Sequence, residues 1–182
     1  MSSGEVLTPG ENLESGERFE TSVHLKPNEN LKRLGIELPV PPARGGLYAP
    51  VRVVGKLAFV SGQVPFKDGA PLMTGALGDG PDGLSVEQGQ ACARQCALNT
   101  LAVLDAHFAD VGGLDAVAGC VKLFALVRCA DDFTTQPQVV NAASQVMIDV
   151  FGDAGWHARS AVGTNALPGG VPVEIESVFE LV

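Results

Sequence analysis

The residues best suited to chemistry lie together in one apolar stretch, GWHARSAVGTNALPGGVPVEIESVFE, at positions 155–180. Arg159 is the one arginine of this stretch, and Glu174 and Glu176 follow on the next predicted strand. A cation among apolar residues is costly unless it is paired. A guanidinium can hold a carboxylate through two parallel hydrogen bonds, and a glutamate can act as a general base. The stretch therefore predicts either a structural ion pair or a site for an anionic substrate.

The structural alternative is an ion pair between Arg159 and Glu174 or Glu176 across adjacent strands. Such a pair would add little stability if it were exposed. The two glutamates lie on the same strand face, so their spacing prefers neither as the base. Trp156 and His157, just before the arginine, are interpreted as packing and turn residues, and the alternative for His157 is a place at the rim of a cleft.

Other residues that could bind a metal do not form a recognisable set. Cys92 and Cys96 are spaced i, i+4 on a predicted helix, but no second close pair or histidine completes a tetrahedral site. We expect these two thiols, with Cys120 and Cys129, to be buried or part-buried in a reducing compartment. His107 is expected to interact with the carbonyl end of its helix. The sequence thus predicts neither a metal nor a cofactor.

Composition limits the class of protein. The chain has 182 residues, a formal net charge of −9 and a pI near 4.7. The length fits one domain, and the absence of a Lys/Arg cluster argues against nucleic-acid binding. No apolar run approaches the length of a membrane span, and no signal peptide is recognised. We expect a cytoplasmic protein with a small-molecule partner.

The N-terminal region differs from the rest in composition. Residues 1–27 contain five glutamates among serine, glycine and threonine, with no helical or strand periodicity. This composition predicts a flexible acidic tail, followed by a single domain over residues 28–182. In that domain, an Asn28 cap and Gly35 bound a short predicted helix.

Alternating apolar residues predict a hairpin that turns at Gly55-Lys56 and whose second strand ends at Ser61-Gly62. Gly62 would either allow close approach of a ligand or mark a β-bulge. The glycine-rich segment at 69–83 contains a Gly-x-Gly but no following βαβ unit, so it is interpreted as a loop.

Two longer helices and three further strands follow. A capping box of Ser85 and Gln88 starts an amphipathic helix that is expected to end at Gly112-Gly113, and a second helix is predicted from Pro137 to Phe151. Between them, AGCVKLFALVRC is apolar on both faces, which predicts that a second subunit covers one of them. The final strand alternates Val173 and Ile175 with the glutamates. The order predicts an α+β fold with a mostly antiparallel sheet.

Three motifs, in order along the chain, resemble the RidA/YjgF family of reactive-intermediate deaminases, formerly called endoribonuclease L-PSP, in a longer and less characterised branch. They are FVSGQVP at 59–65, ARQCALNTLAVL at 93–104, and ARSAVG, LP and VEIE between 158 and 176. The resemblance implies a chorismate-mutase-like fold, two helices on one sheet, and a homotrimeric barrel with clefts between subunits. It also implies hydrolysis of enamines and imines, such as 2-aminoacrylate, to 2-keto acids and ammonia without a cofactor.

The resemblance also assigns site residues. Arg159 matches the family's carboxylate-binding arginine, and Glu174 its glutamate that handles the attacking water. Tyr48, Ser61 and Asn141 match residues that line the cleft, although the spacing from Asn141 to the arginine differs by one residue from the family pattern. Two departures are Ala161, where many members have cysteine, and Gly163, where an acidic residue is common. The substrate preference is therefore left open.

Two other functions are weighed. A protein with the same trimeric fold and arginine could bind or sense small carboxylates with little catalysis. The family's older label suggests a ribonuclease or translation inhibitor, but the charge of −9 argues against an RNA groove.

Overall fold

A computed structural model describes residues 25–78 and 83–182. Its helices are α1 (Pro27–Leu34), α2 (Val86–His107) and α3 (Gln136–Phe151). Its strands are β1 (Val51–Val54), β2 (Leu57–Gln63), β3 (Phe66–Lys67), β4 (Ala70–Pro71), β5 (Val117–Arg128), β6 (Ala158–Thr164) and β7 (Val173–Leu181). Among the described residues, no helix is long and apolar enough to cross a membrane.

Five strands form the main sheet in the order β1-β2-β7-β5-β6, while β3 and β4 form a separate ribbon. Every neighbouring pair of the main sheet is antiparallel except β5 and β6. The longer helices α2 and α3 pack against each other, and the buried core lies between them and one face of the sheet. The predicted α+β class with a mostly antiparallel sheet is confirmed.

The two faces of the sheet differ in exposure. On β7, Val173, Ile175 and Phe179 are buried toward the helices, while Glu174 and Glu176 lie on the opposite face. That opposite face, here called the open face, also carries Phe59, whose side chain is 44% exposed, and Phe124, which is part-buried. Aromatic side chains left accessible on a sheet face are what subunit contact would cover, and this part of the prediction stays a prediction.

Strands β6 and β7 follow each other in the sequence but are not neighbours in the sheet. Strand β6 pairs in parallel with β5, after the crossover through α3, and takes the edge of the sheet. The chain must then cross back, because β7 pairs with β5 on its other side. The alternative of an ion pair across adjacent strands is therefore wrong, because β6 and β7 are not adjacent in the sheet.

Helix α2 begins as predicted and ends early. Ser85 Oγ accepts the Gln88 N–H at 3.2 Å, and Gln88 Oε1 accepts the Ser85 N–H at 2.8 Å. The helix stops at His107 with Phe108 as its cap, and two short 3-10 turns precede the next strand. The prediction that it continues to Gly112-Gly113 is wrong, because the 3-10 turns rotate the chain away from the helix axis and leave Val111 67% exposed.

Helix α1 also begins differently from the prediction. Its cap is Lys26 and Pro27 occupies the first turn, whereas the N–H of Asn28 donates to Asp115 Oδ1 at 3.0 Å. Gly35 ends the helix with φ of +64°, as expected of a left-handed C-cap. Residues 1–24 of the predicted acidic tail lie outside the described residues.

The four cysteines are free, with Cys92, Cys96 and Cys120 buried and Cys129 part-buried. Burial raises the pKa of Cys92 to about 11 and that of Cys120 to about 12. Because the thiolate is the reactive form, these buried thiols contribute to packing rather than to reactivity. The predicted burial of the thiols is confirmed.

Candidate active site

Arg159 lies on the edge strand β6 and reaches toward helix α3. It pairs with Leu123 of β5, which in turn lies opposite Ser177 of β7, so its side chain shares the helix-covered face of the sheet. Its Nη1 donates to Asn141 Oδ1 and to Ser144 Oγ, both at 2.9 Å, and Nη2 donates to the Pro137 carbonyl at 3.3 Å. The first turns of α3 therefore hold the guanidinium in one orientation.

The guanidinium keeps donors for a ligand. Three of its five N–H groups are used by these bonds, and the other two have no partner among the described residues. Partial burial lowers the pKa of Arg159, although an arginine stays charged in proteins. Two N–H groups on one planar cation suffice to hold a carboxylate through parallel hydrogen bonds.

Glu174 lies on β7 and lines a cavity of about 460 Å³ together with Tyr48, Ser61 and Gly62. Burial raises the pKa of Glu174, and the nearby Glu176 carboxylate raises it further. Glu176 does not line this cavity and is exposed. The structure thus separates two glutamates that the sequence pattern left equivalent, because of the two only Glu174 lines the cavity that contains Tyr48 and Ser61.

Gly62 lies at a β-bulge, because the register of β2 against β7 shifts between Val60 and Gln63. A Cβ built on Gly62 would lie 3.0 Å from the carboxyl carbon of Glu174. The bulge predicted as one alternative is confirmed, and the group that approaches the glycine is the Glu174 side chain. Glycine is required here because any side chain would displace that carboxylate.

The segment before β1 forms the outer wall of the cavity. Ser61 Oγ donates to the Ala49 carbonyl at 2.8 Å, which ties this segment to β2. Tyr48 is partly exposed, and its hydroxyl accepts the Gly45 N–H at 3.3 Å. Tyr48 and Ser61 therefore lie in the same cavity as Glu174, in agreement with their predicted grouping.

The structure also shows a residue that sequence reasoning missed. Asn99 of α2 is fully buried, and its Nδ2 donates to the carbonyls of Val64 and Phe66 at 2.8 and 2.9 Å. These bonds fix the chain that follows Ser61-Gly62 and forms the inner wall of the cavity. The signal that could have identified Asn99 is its place as a polar residue among the apolar residues of the predicted helix.

Arg159 and Glu174 do not meet within one chain. Strand β5 separates their strands, which places the backbones roughly 10 Å apart across the sheet. Glu174 is also three residues along β7 from Ser177, the residue level with Arg159, and it lies on the open face. The predicted residues therefore form two groups: Arg159 with Asn141, and Glu174 with Tyr48 and Ser61. An ion pair between Arg159 and either glutamate is absent from the described residues.

With this geometry in view, residues 28–173 match the family model described as "YjgF/chorismate_mutase-like, putative endoribonuclease". The protein TCP17 of Trypanosoma cruzi is 42% identical over 153 residues, which cover 84% of this chain and 92% of TCP17. The chain belongs to the YjgF/RidA family.

Solved structures of relatives share the fold. The structure of Atu1372 from Agrobacterium tumefaciens, a protein described as of unknown function, has a TM-score of 0.75 at 36% identity and covers 86% of this chain and 92% of its own. RidA from the Antarctic bacterium Psychrobacter sp. has a TM-score of 0.52 at 26% identity, with 78% and 94% covered. The chorismate-mutase-like fold expected from the sequence is confirmed.

The two departures from the family pattern lie on β6. Ala161 carries no thiol, so a reactive cysteine at that position is absent. A Cβ on Gly163 would lie 3.0 Å from Cys129 Sγ and 3.2 Å from Gln136 Nε2. In this YjgF/RidA protein, Cys129 and Gln136 occupy the space that a larger residue at position 163 would need.

Replacing Glu174 by Gln should stabilise the protein at neutral pH. Burial raises the folded-state pKa of Glu174 above its ordinary value of 4.5. The folded state then binds the proton more tightly than the unfolded state, so stability falls as the pH rises from 4.5 through the folded-state pKa. We expect Glu174→Gln to raise the melting temperature at pH 7 by about 1–3 °C, as measured by scanning calorimetry.

The control is Glu180→Gln, an exposed position on the same strand that lies outside the cavity. It should leave the melting temperature unchanged. The advantage of Glu174→Gln should shrink as the pH falls through the folded-state pKa and disappear below 4.5, where the wild-type carboxyl is protonated in both states. An advantage that grows on acidification would contradict the assignment.

Proposed function

We propose that this protein hydrolyses enamine and imine intermediates, such as 2-aminoacrylate and its imine 2-iminopropanoate, to 2-keto acids and ammonia. The observation that carries the proposal is that the same chain has a pre-oriented Arg159 with two unused N–H groups and, elsewhere on the sheet, a half-buried Glu174 that lines a cavity. The first suits the carboxylate of an imino acid. The second suits activation of water at the neighbouring carbon.

The reaction needs no redox step. As the water oxygen bonds to the imine carbon, the electron pair of the C=N bond moves to nitrogen, and Glu174 accepts one proton of the water and passes it to that nitrogen. In the second step Glu174 accepts the remaining proton of the new hydroxyl group as the C=O bond forms, and gives it to the nitrogen as the C–N bond breaks. Ammonia leaves and the keto acid remains. A raised pKa makes Glu174 a stronger base for the first step and keeps it able to return the proton.

We further propose that the site is assembled between subunits of a homotrimer. Arg159 lies at the β6 edge of the sheet, whereas Tyr48 and Ser61 lie beside β1 and β2 at the opposite edge. When the β6 edge of one copy meets the β1 edge of the next, Arg159 approaches the partner's cavity. Closed symmetry repeats this contact and gives three identical clefts. The apolar side chains of the open face favour such an association.

A small-carboxylate binding protein is the second candidate. Arg159 and its three hydrogen-bond partners on α3 are already ordered within a single chain. Binding of a carboxylate therefore does not require Arg159 and Glu174 to be brought together, whereas catalysis does. The endoribonuclease description of the family does not extend to a proposal here, because a net charge of −9 offers no cationic groove.

The deciding assay generates 2-aminoacrylate in place with a pyridoxal-phosphate dehydratase and follows pyruvate with and without the protein. We expect the protein to accelerate pyruvate formation at catalytic concentrations. Saturable pyruvate binding by calorimetry with no acceleration would favour the binding protein. If the protein neither accelerates hydrolysis nor binds the keto acid, for this imine and for longer-chain imines, the proposal is wrong.

A further inference from the structure

His157 and Ser144 form a hydrogen-bonded chain that ends on Arg159. His157 Nδ1 lies 2.6 Å from the Gly155 carbonyl oxygen, and its Nε2 lies 3.0 Å from Ser144 Oγ. Ser144 Oγ in turn accepts a hydrogen bond from Arg159 Nη1 at 2.9 Å. Neither Ser144 nor His157 belongs to the motif residues by which the chain resembles its family. His157 was expected to be a turn residue, with the rim of a cleft as the alternative, and it contacts the hydrogen-bond network around Arg159.

The direction of each bond in this chain follows from donor and acceptor chemistry. A carbonyl oxygen can only accept, so Nδ1 of His157 carries the hydrogen. In a neutral imidazole Nε2 is then an acceptor, and the Ser144 hydroxyl must donate to it. The lone pairs of Ser144 Oγ are left to face Arg159. Burial, with a smaller effect of the Arg159 charge, lowers the pKa of His157, which agrees with a neutral ring.

Packing fixes this chain in place. Gly155 is buried against α3, and a Cβ there would lie 2.6 Å from the Ile148 Cα. The absence of a side chain lets the turn that carries His157 lie directly on α3, one turn of helix beyond Ser144. Trp156 between them is 71% exposed, so its expected packing role is wrong for the single chain. The turn is held by glycine and histidine instead.

We propose that Ser144 and His157 are positioning residues, which orient the Arg159 guanidinium so that its unused N–H groups face the substrate carboxylate. Asn141 and Ser144 occupy both hydrogens of Nη1, and this prevents rotation of the guanidinium plane. The inference rests on the proposed function for its kinetic consequence. The orientation of Arg159 itself does not depend on that function.

The kinetic test compares Ser144→Ala, Ser144→Thr and His157→Ala, with Gln145→Ala as the matched control. Gln145 lies next to Ser144 on α3, but it is exposed and contacts Asp149. The carboxylate is bound in the ground state and in the transition state alike, so Ser144→Ala and His157→Ala should raise KM about tenfold with little change in kcat. Ser144→Thr, which keeps the hydroxyl, should have a KM close to that of the wild type. Unchanged KM in a folded Ser144→Ala protein would overturn the proposal.

A second measurement needs no substrate and separates this proposal from the proposed function. In nitrogen-15 NMR spectra, the wild-type His157 ring should be the Nδ1-protonated neutral tautomer, and rotation of the Arg159 guanidinium should be slow. Ser144→Ala should speed that rotation, while Gln145→Ala should not. If these NMR results are obtained and the protein does not hydrolyse imines, the positioning role is supported and the proposed deaminase function is wrong. An Nε2-protonated ring, or rotation unaffected by Ser144→Ala, would overturn positioning even in an active enzyme.

Discussion

Arg159→Ala should lower kcat/KM for imine hydrolysis by about 10²- to 10³-fold while leaving the fold intact. In the proposed function the arginine binds the substrate carboxylate, so its loss would remove both binding and the alignment of the imine carbon with the attacking water. The side chain lies on an edge strand and is only part-buried, so its removal leaves no large cavity in the core. Pyruvate production from 2-aminoacrylate, with circular dichroism as the fold check, measures the effect.

Arg94→Ala is the matched control. Arg94 is an exposed arginine on α2, so its removal changes the net charge equally without touching either group of site residues. It should retain the wild-type rate. If Arg159→Ala turns over imine as fast as the wild type, the carboxylate-binding role of this arginine is wrong.

Two inactive variants should regain activity when their subunits are mixed. Glu174→Gln removes the base and should lower kcat by about 10²- to 10⁴-fold. If each cleft takes Arg159 from one subunit and Glu174 from its neighbour, mixed trimers of Arg159→Ala and Glu174→Gln contain some intact clefts. In a random one-to-one mixture each of the two groups is present with a chance of one half, so about a quarter of the wild-type activity should return, and about a third in isolated mixed trimers, each of which has one intact cleft of three.

The variants should be purified separately, then refolded together with different affinity tags so that mixed trimers can be isolated. Native mass spectrometry confirms that subunits have exchanged. Activity that stays at the level of the separate variants, in trimers shown to be mixed, would place Arg159 and Glu174 in one subunit's site. An assembly other than a trimer would overturn the proposed symmetry whatever the activity.

The elements were predictable because their signals are local. The capping box at Ser85 sets a helix start within three residues, and the alternation of Val173 to Phe179 with glutamates sets a strand with one buried face. The end of α2 was not predictable in the same way. It depends on 3-10 turns that contact residues far away in the sequence: the carboxylate of Asp115, within the second turn, accepts the N–H of Asn28.

The candidate site was predictable as a set of residue types and not as an arrangement. Arg159, Glu174, Tyr48, Ser61 and Asn141 were identified from motifs, and the structure divides them between two ends of the sheet. Ser144 was not identified as a site residue, and His157 was considered only as an alternative at the rim of a cleft, because a serine and a histidine thirteen positions apart carry no local signal. Only the docking of the Gly155 turn on α3 brings them together.

The sequence by itself determined the fold class, the buried faces and the chemical groups available for a carboxylate and a water molecule. These depend on periodicity, capping and residue type, which act between near neighbours along the chain. The tertiary structure decided which glutamate lines the cavity, that Gly62 makes room for it, and that β5 lies between Arg159 and Glu174. These outcomes depend on strand order and register, which are set by contacts between segments far apart in the chain, and residue spacing does not encode them.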